Sequence, residues 1–253
     1  MDKNLQRKQL VERLADSSTA LVCNAYDFMG LHSPCTDRSI LCQTPELPLM
    51  VGAAITISID CSTPPGQQYF TADDTSGDPE GNLYQALVEM IEKSTVPCVV
   101  VIQSLGNYEY GAVLGDGMAK TMVTAGAVGV VTNGPVRDLR DIKKVGLNVF
   151  AGGVTPNHHA LRWSGLGKPV SIGGLEIHTG DILHGDSDGV ITLPEDGLHK
   201  VVRACRYVLD FEKKVHVVMR RTDISMSEKI TESGIRVDEY RKLISDISGF
   251  EDL

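Results

Sequence analysis

The stretch "GDGMAKTMVTAGAVGVVTNGPVRD", Gly115–Asp138, decides the fold class. A glycine-flanked acid opens it, and the pattern from about Asp116 to Ala125 predicts a helix. "AVGVVT" predicts a strand, "NGP" a turn, and Arg137–Asp138 the start of the next helix, "DLRDIKKV". "LNVFAGG" follows as another strand. Helices that alternate with short apolar strands point to an α/β core with parallel strands.

Upstream, the same alternation continues. "PCVVVIQ" is uniformly apolar, as expected of a strand covered on both faces. "MVGAAITISID" puts Val51, Ala53, Ile55, Ile57 and Ile59 on one parity, which predicts a half-buried strand. Between them, Cys61 to Gly81 reads as a long loop rich in Pro, Gly, Asp and Ser. Loops of that length in compact domains are often functional. Asn82 then caps a helix carrying Leu83, Ala86, Leu87, Met90 and Ile91. Leu5, Leu10, Val11 and Leu14 predict a short opening helix.

Downstream, "KPVSIGGLEIHTGDILHGDSDGVITLP" reads as short strands joined by Gly–Gly, Thr–Gly–Asp and Asp–Gly turns. A helix over Glu195–Lys213 places Val201, Val202, Cys205, Val208 and Leu209 on one stripe. From Arg221 onward one or two polar helices are expected. The expected organisation is one domain over 1–253, with a core of about 20–208 and a helical tail of about 221–253.

The chain has 253 residues and a formal net charge of -9. That balance argues against a nucleic-acid partner, which needs a basic face. No apolar run reaches the roughly 18 residues of a membrane span. The N-terminus lacks the apolar core of a secretory signal. Six cysteines are scattered without a C-x-x-C. A cytoplasmic protein with free thiols is the expectation, with Cys98 as a buried structural thiol.

Two motifs resemble metal sites and fall short. "HGDSDGVITLPE" fits a calcium loop at Asp186, Asp188, Gly189 and Glu195, but His184 stands at the first ligand position and the flank is strand-like. A tight β-turn at Asp188–Gly189 is expected instead. His158–His159 is an adjacent pair, and no third ligand lies at motif spacing. "SGLGKP" lacks the length of a phosphate-binding loop, and no G-x-G-x-x-G follows a strand.

Gly115–Asp138 carries the chemistry. Asp116 suits a helix N-terminus, and Asp138 suits an N-cap with Asp141 three residues on. In a parallel sheet both helix starts lie at the carboxyl edge. Amides after Gly115 would form an anion site, and Gly115 and Gly117 would let a ligand approach the backbone. Arg137 adds a planar fork of donors. Asp138 and Asp116 add hard oxygens for Mg²⁺ or Mn²⁺, directly or through water. Such a cleft suits an enolate formed beside a keto acid.

The full spacing is Gly115–Asp116, twenty residues, then Arg137–Asp138. It resembles the class II pyruvate aldolases of the 4-hydroxy-4-methyl-2-oxoglutarate aldolase type. These share a superfamily with the regulator of ribonuclease activity A. "VGAAITI", "AGAVGVVTNGPVRD", "VFAGGVTP" and "GDILHGDSDGVITLP" agree, so the similarity covers roughly Ala20 to Val208.

The resemblance implies an α/β/β sandwich with a swivelling-domain-like core, assembled as homotrimers or homohexamers. It implies that Arg137 binds the keto oxygen and stabilises the enolate, and that Asp138 holds the metal, partly through water. Asp116 would orient a water or take part in proton transfer. Gly115, Gly117 and Met118 would cradle the pyruvyl carboxylate of a small oxo acid. Oxaloacetate decarboxylation, which gives the same enolate, is implied too, as is an acid from a neighbouring subunit. The chain departs from the family at Asn24, where relatives commonly carry Asp, and at the loop 61–81, where Gly81–Asn82 replaces a common Asp–Asn. Both regions are assigned to the distal half of the substrate. Two alternatives stand beside the aldolase: a lyase or hydro-lyase on another hydroxy, keto or sugar acid, and a non-enzymatic regulator that binds an endoribonuclease. The regulator branch lacks the acid after the arginine, and Asp138 is present here.

Overall fold

The computed structural model describes residues 3–61, 82–106, 111–158, 162–193 and 197–248. Residues 62–81 of the loop expected over 61–81, together with His159 and Glu195, lie outside them. The chain groups into two compact units: Met1–Ala15 with Pro34–Glu195, and Asp16–Ser33 with Asp196–Leu253.

In the first unit four parallel strands form the centre of the main sheet. They are β2 (Met50–Asp60), β3 (Cys98–Leu105), β4 (Ala127–Val136) and β5 (Asn148–Val154), in spatial order β5-β4-β3-β2. The crossovers are α3 (Leu83–Glu92), α4 (Asp116–Ala125) and α5 (Leu139–Val145). Because the strand order never reverses, crossovers of one hand place all three helices on one face. The packing agrees: Ile55, Ile57, Val100 and Ile102 meet Leu87, Ile91, Met122 and Ile142 there. The other parity of the same strands, including Ala54, Val99, Val101 and Val131, packs with Val170, Ile172 and Ile177. Those three belong to the hairpin β7 (Val170–Ile172) and β8 (Leu175–Ile177). The layers are therefore helices, sheet and hairpin, the expected α/β/β arrangement.

Antiparallel strands complete the sheet. β1 (Leu41–Cys42) pairs β5, and β6 (Arg162–Ser164) pairs the end of β2. β9 (Ile182–Asp186) pairs the start of β2, and β10 (Gly189–Leu193) pairs β9. At the β9–β10 turn the amide of Asp188 donates to Asp186 Oδ1 at 3.0 Å, so these acids make the expected turn. His184 is buried, with Nε2 3.2 Å from the carbonyl oxygen of Leu14. Leu14 ends α1 (Lys3–Leu14), the expected opening helix.

Three expectations need correction in this unit. β2 is buried on both faces for nearly its whole length, because the hairpin covers the parity opposite the helices. "NGP" is not a turn, since β4 runs on through Val136. The Asn133 side chain replaces ladder bonds there, accepting from the Ser104 amide at 2.7 Å and donating to the Ser104 carbonyl at 3.0 Å. Pro135 falls where the β4–β5 register shifts, a position that tolerates a missing donor. Gly152 is needed opposite, because a Cβ there would lie 2.4 Å from the Asn133 carbonyl oxygen. Finally, Asp138 occupies the N-cap position of α5 but makes no side-chain cap bond.

The second unit holds α2 (Thr19–Phe28), α6 (Leu198–Arg220) and α7 (Met226–Ser248). Ser18 caps α2, accepting from the Leu21 amide at 3.2 Å. Phe28, Phe211 and Tyr240 stack in sequence at 5.1 and 5.6 Å between ring centroids. α6 is longer than expected and begins later, and among the described residues the tail is one helix. Leu209 is exposed, whereas Leu198 and Ala204 take part in the buried stripe. α7 begins with a capping box, in which Ser225 Oγ accepts from the Glu228 amide and Glu228 Oε2 from the Ser225 amide. Asn24 donates to Glu212 Oε1 at 3.1 Å within this unit.

Candidate functional site

The site lies where the ends of β3 and β4 lead into α4 and α5. A backbone zipper brings the two helix starts together. Leu114 bridges Val136 in parallel, the Val113 amide donates to the Pro135 carbonyl, and the Arg137 amide donates to the Leu114 carbonyl, both at 2.9 Å. Gly115–Asp116 and Arg137–Asp138 thus leave one register side by side. With a strand order that never reverses, this pairing, and not a reversal of strand order, brings the two helix starts together.

Asp138 adopts φ 59° and ψ 30°, the one non-glycine residue at positive φ among the described residues. A side chain in that region costs energy, although Asp tolerates it better than most. The turn aims its carboxylate away from α5 and onto α4, where Oδ2 accepts from the Asp116 amide at 3.4 Å. Arg137 Nε lies 3.3 Å from the same oxygen. Asp141, the acid expected to complete a capping box, pairs instead with Lys144 at 2.6 Å.

Gly115 is the N-cap of α4 in extended conformation. A Cβ there would stand 3.1 Å from both Arg137 Nε and Asp138 Oδ2, so the glycine makes room for the pair. At Gly117 a Cβ would meet open space. Met118 is half-buried and packs on the helical face of the core.

Asp116 lies in the first turn of α4, where the helix dipole favours an anion. Its Oδ2 is 2.6 Å from Lys120 Nζ. The bond from Lys120 is the main reason its carboxyl is held below the usual range, with the fields of Lys120 and Arg137 adding to it. Lys120 is the site residue that the motif did not reveal. Its signal was an Asp–Lys pair four residues apart on a helix.

Arg137, Asp138 and Asp116 are thus brought together, each about one-third exposed. Among the described residues no group of three or more His, Cys, Asp and Glu side chains forms a metal cage. Two hard carboxylates beside open space suit an ion of the Mg²⁺ type, which keeps several waters and completes its shell with substrate oxygens. The donor set fits such an ion and gives a soft metal nothing to prefer. Cys98, the nearest β3 thiol in sequence, is buried, and its pKa is raised by desolvation. Among the described residues no helix is long and apolar enough to cross a membrane.

The family described as RraA-like: Aldolase/RraA matches residues 19–192. The protein DlpA of Legionella pneumophila is 26% identical over 195 residues, 76% of this chain and 29% of its own length. The 4-hydroxy-4-methyl-2-oxoglutarate aldolase of Thermus thermophilus is 34% identical over 85 residues, 33% of this chain and 52% of its own length. The chain therefore spans well under two thirds of either relative. Among solved structures, Streptomyces coelicolor RraAS2, an unusual member of the RNase ES inhibitor RraA protein family, superposes with TM-score 0.63 at 22% identity. That superposition covers 84% of this chain and 96% of the other. At that identity the likeness establishes the fold.

Proposed function

The chain belongs to the RraA-like: Aldolase/RraA family, and from that premise we propose that it is a divalent-metal-dependent lyase acting on a 4-hydroxy-2-oxo acid. The observation that carries this reading is the joint position of Arg137 and Asp138 against the start of α4. In the reaction the C4 hydroxyl gives up its proton and the C3–C4 bond breaks. The electron pair passes to the pyruvyl half as its enolate, and the other half leaves as a carbonyl compound. Proton uptake at C3 then gives pyruvate.

Arg137 is paired at Nε with Asp138. Its remaining donors bind the keto oxygen, where negative charge develops, and preorganised donors of this kind are among the largest catalytic contributions. The start of α4 receives the carboxylate of the pyruvyl half. Asp116 orients the water that takes up or returns the proton. Asp138, and Asp116 partly through water, would hold Mg²⁺ or Mn²⁺, which when bound would supply further positive charge next to the keto oxygen.

The presence of Asp138 favours this reading over a purely regulatory one. Decarboxylation of oxaloacetate belongs to the same proposal, since loss of CO₂ leaves the same enolate, and so does assembly as a homotrimer or homohexamer. The test is pyruvate release from 4-hydroxy-4-methyl-2-oxoglutarate and from oxaloacetate, with Mg²⁺ or Mn²⁺ and after EDTA. Release is expected to need the ion and to fall by about 100-fold or more in Arg137→Lys, which keeps the charge but loses the fork. Release unaffected by EDTA, or full activity in Arg137→Ala, refutes the mechanism. Capture of an endoribonuclease scaffold by a chain without lyase activity would favour the regulator instead.

A further inference from the structure

We propose that Lys120 is the built-in counter-ion of the candidate cation site, a positioning residue that holds Asp116 ready and weakens divalent-metal binding by occupying its carboxylate. The inference rests on the metal-dependent reading above.

Lys120 Nζ contacts Asp116 Oδ2 at 2.6 Å, one helical turn into α4. Asp141 and Asp138 lie close enough to add their fields to that of Asp116 at the ammonium. The site therefore sets two carboxylates, Asp116 and Asp138, against two cations, Arg137 and Lys120. Arg137 is committed to Asp138. Lys120 balances Asp116, so the acids can sit at neighbouring helix starts without mutual repulsion.

Asp141 is balanced by Lys144, so a divalent cation that enters this cluster meets little net negative charge. It must take the Asp116 oxygen, or the water beside it, from the ammonium. The Lys120 side chain is about half exposed. An exposed ion pair of this sort is weak and easily exchanged. Lys120 also has the long, flexible stem needed to swing aside. The bland alternative is a helix-stabilising pair, for which Asp before Lys at this spacing is a favourable order. That role predicts a small change in melting temperature and no change in metal affinity.

The experiment is Mn²⁺ binding to the full chain, followed by electron paramagnetic resonance and by calorimetry, for wild type, Lys120→Met, Lys120→Arg and Asp138→Asn. Lys120→Met should bind Mn²⁺ about 3- to 10-fold more tightly, with the gain shrinking at high salt. Lys120→Arg should stay near wild type, and Asp138→Asn should lose the site. Unchanged or weaker binding in Lys120→Met, with Asp138→Asn still abolishing binding, overturns the role of Lys120 and leaves the functional reading standing. No saturable binding in any of the four overturns both.

Discussion

The carboxylate of Asp138 reaches across 22 positions of sequence to accept from the backbone amide of Asp116 at 3.4 Å. Its side chain does so in place of capping its own helix: the residue sits at the start of α5 in the left-handed region, its carbonyl accepts from the Asp141 and Ile142 amides, and its carboxylate makes no cap bond there. Such strain persists where the surrounding structure imposes it, and it gathers at functional sites. Asp138→Gly should therefore relieve the backbone while removing the carboxylate. The expected outcome is a melting temperature equal to or a few degrees above wild type, with Mn²⁺ binding and lyase activity lost. Calorimetry beside the pyruvate assay checks both parts. A clear fall in melting temperature would mean that the side-chain contacts outweigh the strain.

Gly115 and Gly117 are two residues apart and should respond differently to alanine. At Gly115 the new methyl group must push Arg137 and Asp138 aside by a few tenths of an ångström. Small displacements of catalytic groups are costly, so activity should fall roughly 10- to 100-fold with little change in stability. At Gly117 the methyl group enters open space on a helix. Alanine there should leave the protein equally or more stable, by up to about 0.5–1 kcal/mol. Any lost activity would come from the face where a ligand approaches. Paired thermal melts and kinetics on the two variants would separate these effects.

Much of this arrangement was legible because local signals agreed. The α4 boundaries could be read from its ends: Gly115 precedes it, and Gly126 closes it at φ 115°, where a left-handed cap favours glycine. Asn82 was legible as a cap for the same local reason, and it accepts from the Gln85 amide at 3.0 Å. Pairings between distant segments were not. Nothing around Leu114 announces that it will bridge Val136, yet that bridge sets the site. The hairpin that covers β2 is equally remote in sequence, so the alternation of Val51, Ala53 and Ile55 suggested one buried face where there are two. Lys120 carries no distinct signal in the sequence, because an i, i+4 ion pair is so common on helix surfaces.

Asn133 explains how "NGP" stays in a strand. Its amide bonds both backbone groups of Ser104, which is itself buried. Asn133→Ala should strand an amide and a carbonyl in the sheet, at a cost of about 1–3 kcal/mol. Asn133→Asp should be worse than a simple isostere, because the carboxylate can accept from the Ser104 amide but cannot donate to its carbonyl. Urea unfolding of the two variants measures this. Equal stability to wild type in both would mean that the turn-like sequence, and not the side chain, sets the strand's course.

In the second unit Asp210, Lys214 and Tyr240 make a pH-dependent clasp between α6 and α7. The Tyr240 hydroxyl donates to Asp210 Oδ2, and Lys214 Nζ lies 2.9 Å from the same oxygen. The Tyr240 bond is the main cause, with Lys214 next, of an Asp210 pKa lowered from its ordinary 3.8. A depressed carboxylate contributes stability that is fully present above the unfolded pKa and is lost as pH falls through the folded one. Tyr240→Phe removes the larger cause and lets the Asp210 pKa rise toward its ordinary value. The stability difference between wild type and Tyr240→Phe should hold steady above about pH 4 and narrow progressively below it. Urea unfolding followed by circular dichroism from pH 6 down to pH 3 measures it, and a difference that widens on acidification would show that Asp210 is not the linked group.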